Sequence, residues 1–286
     1  MERSPAGLAR PVVSEAPAPV ARDKVLLASD GGVASAAALR WVLDYVGFRP
    51  AEVEIVDVVD LVTKADVDAT RRRRSVEGMA GLLRLFVPGL RVAIARPDDA
   101  DSAFEGSPGA LVVIGVQRGD RVRSRLVERA LERPAGPVVI VPSEWISRRG
   151  PVIVGIGAED APSRALAFAE KEAAALRTGL RLIHAWETTG PGEIPPEWDF
   201  GTDSIPERQR RALAQFARRE ERSHPDLPIT AEAVQGQLVK KLTAAARTAS
   251  LLVVGRSHRP ALARALFGSS ERGLLDQLPC PVAIVP

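Results

Sequence analysis

The chain has 286 residues, of which 45% are apolar and 26% charged, with a net charge of +3. That is the composition of an ordinary globular protein, long enough for one large or two ordinary domains. No apolar run approaches the roughly 18 residues of a membrane span, so no membrane partner is expected, and the amino terminus has no signal-like apolar stretch, so secretion is not expected either.

In chain order, residues 1–22 are rich in Ala and Pro without an apolar period and read as a mobile tail. Val25-Leu-Leu-Ala-Ser-Asp30 is a strand stopped by the turn Gly31-Gly32, and 34–46 carries apolar residues at helical spacing. Arg71–Arg74 is the one concentrated basic run. Aromatics make up only 4% of the chain and none interleave with it, so base stacking lacks its side chains. The run reads as a solvated helix face or loop, and no nucleic-acid partner is expected. Ala110–Gly115 and Pro137–Pro142 are further strands.

The second half reads as strand 152–156, helix 161–177, strand 180–186, helix 205–222, strand 229–234, helix 236–249, strand 251–255, helix 269–278 and strand 281–285. Residues 187–204, with Gly190-Pro191-Gly192 and Pro195-Pro196, form a long loop, either a surface loop or a flap. Apolar, β-branched strands joined through helices predict an α/β fold with a parallel sheet covered on both faces.

The two halves repeat one design. Val25–Gly31 and the helix after it return 127 residues later as Val152–Ala158 and 161–173, and Ala34 aligns with Ala161. Ala110–Gly115 parallels Ser250–Gly255, and both halves end alike, in Val138-Val-Ile-Val-Pro142 and Val282-Ala-Ile-Val-Pro286. Such a repeat is the strongest organisational signal in the chain.

Leu251-Leu-Val-Val-Gly255-Arg256-Ser257-His258 is a buried strand emptying into a loop, and Gly268-Ser269-Ser270 follows after nine further residues. Exposed backbone N–H groups at such an exit, with a helix start behind them, suit a phosphate. The Gly-Lys-Ser/Thr of a Walker loop is absent. The spacing resembles instead the Gly-x-x-Gly-x(9)-Gly-Ser/Thr signature of the universal stress protein family. Gly255, Gly268 and Ser269 match it, and His258 stands at the second glycine. Leu182-Ile-His-Ala-Trp186, the segment around Cys280-Pro-Val282, and Asp30-Gly31 with Ser35 resemble the family as well.

The resemblance implies two tandem doubly wound α/β domains, each a five-stranded parallel sheet flanked by helices, spanning 23–146 and 149–286. It also implies a cytoplasmic location and pairing of the domains through their last strands, 138–142 and 282–286, with any homodimer using another surface. In the family an Asp closing the first strand holds the adenosine and the glycine-serine loop holds the phosphates of ATP. Each half keeps one of the two. The first has Asp30, but Ser124-Arg125 replaces Gly268-Ser269 on a shorter interval that carries Arg118, Arg121, Arg123 and Arg125. The second has the loop, but its counterpart of Asp30 is Gly157, with Glu159 and Asp160 just beyond.

The expected ATP or adenine-nucleotide site therefore comprises Gly255, Arg256, His258, Gly268, Ser269 and Ser270, together with Gly157 and, in the other half, Asp30. Support for catalysis is thin. Among His184, His224 and His258 no two stand at metal-ligand spacing, and Cys280 is the only cysteine, so no metal site is recognised. Cys280 reads as apolar filler in a reducing compartment, and the acids Glu220-Glu221 as part of a charged helix face. The expected function is a non-enzymatic, stress-responsive protein binding adenine nucleotide weakly in its second half. The alternatives are a ligand-free interaction scaffold and an adenine-nucleotide hydrolase.

Overall fold

A computed structural model describes residues 22–47, 49–59, 67–98, 102–104, 107–117, 120–132, 136–156, 163–186, 205–236, 238–255 and 278–286. The tail up to residue 21, the 187–204 loop and all of the expected 269–278 helix except its last residue lie outside them. One ten-stranded sheet runs in the order β3-β2-β1-β4-β5-β10-β9-β6-β7-β8. Its strands are β1 (Asp23–Ser29), β2 (Ala51–Asp57), β3 (Arg91–Ala95), β4 (Leu111–Val116), β5 (Val138–Pro142), β6 (Val152–Ile156), β7 (Leu180–Trp186), β8 (Ile229–Gln235), β9 (Leu251–Gly255) and β10 (Val282–Val285). Neighbours are parallel throughout each five-strand run. The runs meet where β10 lies antiparallel to β5, with Val282 opposite Ile140 and Ile284 opposite Val138.

Six helices connect the described strands: α1 (Val33–Val46), α2 (Val67–Phe86), α3 (Arg121–Glu132), α4 (Arg164–Ala175), α5 (Ile205–Ser223) and α6 (Leu238–Ala246). Successive strand residues point to opposite faces, so Val25, Leu27, Val139, Val141, Val253 and Val285 pack in one core under α1, α2, α4 and α5. Leu26, Ala28, Val138, Ile140, Val254 and Ile284 pack in a second core under α3 and α6. A strand buried on both faces must be apolar at every position, which is why the central strands read as continuous runs rather than alternating ones. The outer strands β3 and β8 are partly exposed.

Three of the arginines in the basic run, Arg71, Arg73 and Arg74, are exposed on α2, while Arg72 is half-buried. Arg121, Arg123 and Arg125, expected on a shortened loop, belong instead to α3, which starts at Arg121. The Ser163 side chain accepts the Leu166 N–H at 3.2 Å and so caps α4.

Side chains also tie the halves together. Arg49, just after α1, donates through both terminal nitrogens to the Glu172 carboxylate of α4 at 2.8 and 3.0 Å. Its guanidinium lies 3.8 Å from the centre of the Tyr45 ring. Burial pushes the Glu172 carboxyl up, and the bidentate contact with Arg49 opposes that rise. Nearby, Lys171 Nζ bonds both Asp23 oxygens at 2.9 Å.

Candidate functional site

In open parallel sheets the ligand crevice lies beyond the carboxyl ends of the strands, where the strand order reverses. Here that point falls between β1 and β4 in the first half and between β6 and β9 in the second.

In the first half Asp30 follows β1 and is buried. Its Oδ1 accepts the Ser35 hydroxyl at 2.8 Å and the Gly32 N–H at 2.8 Å, while Ser35 Oγ in turn accepts the Asp30 N–H at 3.0 Å. Its Oδ2 is paired with Arg72 Nη1 at 3.0 Å. An aspartate bonding the backbone two residues on makes a turn that stops the strand and starts α1. Gly31 takes φ +72 at that turn, and a Cβ there would stand 2.4 Å from the Arg72 carbonyl oxygen. Ser75 donates to the Gly31 carbonyl at 3.0 Å, which fastens α2 to the same turn. The chemistry of Asp30 is thus spent inside the fold: its charge meets a guanidinium and both of its oxygens are occupied.

Gly115, the counterpart of Gly255, has a packing role of its own. A Cβ on it would lie 1.9 Å from the Ala34 carbonyl oxygen, so its missing side chain lets the start of α1 press onto β4. The sequence reading missed one further acid at this end. Asp57 closes β2, is buried, accepts the Val59 N–H at 3.1 Å and pairs with Arg96 Nε at 3.2 Å. The signal was present, since an apolar strand ends there in a carboxylate.

In the second half Gly255 is the last residue of β9, opposite Val285 of β10. His184 is buried on β7, with Nδ1 3.0 Å from the Ile156 carbonyl oxygen at the end of β6. It occupies the register position of Asp57: Ser29 faces Asp57 across β1 and β2, and Ile156 faces His184 across β6 and β7. At that register position the first half has a buried acid and the second a buried imidazole. Gly157, Glu159, Asp160, Arg118, Arg256, His258, Gly268, Ser269 and Ser270 lie outside the described residues.

The model of the universal stress protein family matches residues 149–286. Among curated proteins the chain is similar to universal stress protein Rv1996 of Mycobacterium tuberculosis, 30% identical over 192 residues that cover 62% of this chain and 59% of that protein. A universal stress protein of Mycolicibacterium smegmatis is 24% identical over 288 residues, covering 91% of this chain and 96% of its own. The chain spans about three fifths of the length of the 30%-identical relatives. Among solved structures, a universal stress protein from Archaeoglobus fulgidus superposes with a TM-score of 0.62 at 15% identity, covering 92% of this chain and 97% of that one.

Proposed function

We propose that this chain, whose residues 149–286 match the model of the universal stress protein family, serves in a stress response, with one adenine-nucleotide site and that site in its second half. The observation that carries the choice of half is the closed state of Asp30, whose carboxylate is held by Ser35, Gly32 and Arg72. A ligand hydroxyl would have to displace Arg72, exchanging an ion pair for a bond in which only the carboxylate is charged, an unfavourable exchange. The second half offers Gly255 at the switch point and the phosphate-loop spacing through His258, Gly268 and Ser269. It lacks an acid at Gly157 to hold the ribose. We therefore propose weak binding of ATP, no catalytic role, and a cytoplasmic location.

Calorimetric titration of ATP into the intact chain tests this reading. The expected Kd is below about 100 μM, equivalent to about −5.5 kcal/mol, and is lost in Gly268→Val. An absence of heat at millimolar ATP overturns the site and leaves the ligand-free interaction scaffold as the reading. ATP turnover above background that disappears in His258→Ala overturns the non-enzymatic role.

A further inference from the structure

At the opposite end of the second half, near the amino ends of β7 and β8, the fold brings three side chains from two helices together. Glu220 and His224 stand four residues apart at the end of α5, so both face the same way. Glu170 reaches them from α4, fifty residues earlier. One ligand atom from each lies within 4.8 Å of the other two, the single such group among the described residues. Glu170 Oε1 and His224 Nδ1 stand 3.7 Å apart, beyond hydrogen-bond length.

We propose that Glu170, Glu220 and His224 form a binding site for one divalent first-row transition ion, with Zn²⁺ as the cation of best fit.

Proximity alone would not carry this, since acids and histidines often meet on surfaces. The second observation is that Glu170 Oε1 and His224 Nδ1 are both shielded from solvent and neither has a hydrogen-bond partner. Two shielded ligating atoms that face one another beyond hydrogen-bond length are costly to leave so, unless something bonds both. A cation satisfies both at once. Burial raises the Glu170 carboxyl above its usual range; His224 opposes that, and Glu220 adds to it.

An imidazole with two carboxylates suits zinc and its neighbours and not Mg²⁺ or Ca²⁺, which take oxygen ligands. With metal–ligand bonds of about 2.0–2.2 Å, the 3.7 Å between Glu170 and His224 already fits, and small side-chain rotations of Glu220 complete the set. Arg219 Nε, 3.3 Å from Glu220 Oε1, is the group the ion must displace or share with. A groove lined by Thr178, Arg177, His224 and Asp226 opens beside the cluster, giving an ion an entry path and room for water in the remaining coordination position. The site is independent of any nucleotide at Gly255, which lies at the other end of the sheet.

The test is titration of chelator-treated full-length protein with ZnCl₂ by calorimetry, with Co²⁺ absorption as a spectroscopic reporter. Expected are one ion per chain, a visible Co²⁺ band of low-symmetry nitrogen–oxygen ligation, and affinity weakened at least about tenfold in both Glu170→Gln and His224→Ala. Glu220→Gln, a milder change, should weaken it as well and serves if either other variant fails to fold. Affinity unchanged in the folded variants places the metal elsewhere and overturns the proposal. So does an absence of binding below about 100 μM Zn²⁺, which leaves a plain His–Glu ion pair.

Discussion

Asp30 shows how one carboxylate can be committed either to a fold or to a ligand. Its bonds to Ser35 and Gly32 and its ion pair with Arg72 join the end of β1, the start of α1 and the middle of α2. Asp30→Ala should therefore lower unfolding stability by about 2–3 kcal/mol, the scale of lost bonds to a charged group, and leave ATP affinity unchanged. Denaturant titration beside calorimetry checks both; a loss of ATP binding with unaltered stability would reverse the assignment. Cys280 illustrates the opposite case, a reactive type made inert. Burial pushes its thiol from 9.0 up to about 12. The folded state therefore stays protonated where the unfolded state ionises. The stability this thiol contributes is full below pH 9 and is lost as pH rises from about 9 toward 12. At pH 8 the native chain should react with a thiol reagent only as fast as it opens, while the unfolded chain reacts at once.

Among the elements, α4 and the end of α1 carry a side-chain link between the halves. Arg49 and Glu172 are both deeply buried, with side chains 8% and 2% exposed. Two charges so placed are held by each other and by little solvent. Removing Glu172 leaves Arg49 with the longer contact to Asp23 at 3.9 Å and the Tyr45 ring, whereas removing both charges leaves a gap that hydrophobic side chains can fill. Glu172→Gln should cost about 3 kcal/mol in chemical denaturation, and the double change Arg49→Met with Glu172→Leu should recover most of it. Equal losses in the single and double variants would show that the pair adds specific stability rather than satisfying a buried charge. The helix α2 makes the complementary point. Its arginine run reads from sequence as a solvated face, and Arg71, Arg73 and Arg74 are exposed, but Arg72 turns toward Asp30. Composition cannot separate four identical residues; only the helical phase against the β1 turn does so.

For the whole molecule, the antiparallel junction of β5 and β10 makes ten strands into one sheet and leaves β3 and β8 as its edges. An apolar last strand would otherwise invite pairing with another chain, whereas the outer strands carry exposed Arg91 and Thr230. The chain should sediment and scatter as a 30.6 kDa monomer independent of concentration. Ile284→Pro removes a ladder donor from a strand hydrogen-bonded on both sides, and should cost about 1–3 kcal/mol for the buried acceptor left unpaired and expose β5 to self-association. A stable, unchanged monomer for this variant in light scattering would mean that the junction contributes little.

The repeat at 127 residues, the strand runs and their parallel arrangement were legible in the sequence, because a strand buried on both faces must be apolar throughout and a repeated pattern implies a repeated layout. The α/β class followed from those local rules alone. Much of the site did not. That Asp30 is closed by Arg72 depends on two residues 42 positions apart meeting at a turn. Gly115 matches Gly255 in the repeat, and that it serves the approach of α1 to β4 is visible only from the backbone distance. Glu220 read in the sequence as part of a charged helix face, and the cluster it forms with His224 takes its third member, Glu170, from another helix, so no local pattern could name it. Sequence periodicity records which face of each element is dry; which polar groups meet across elements is settled only by how those faces stack.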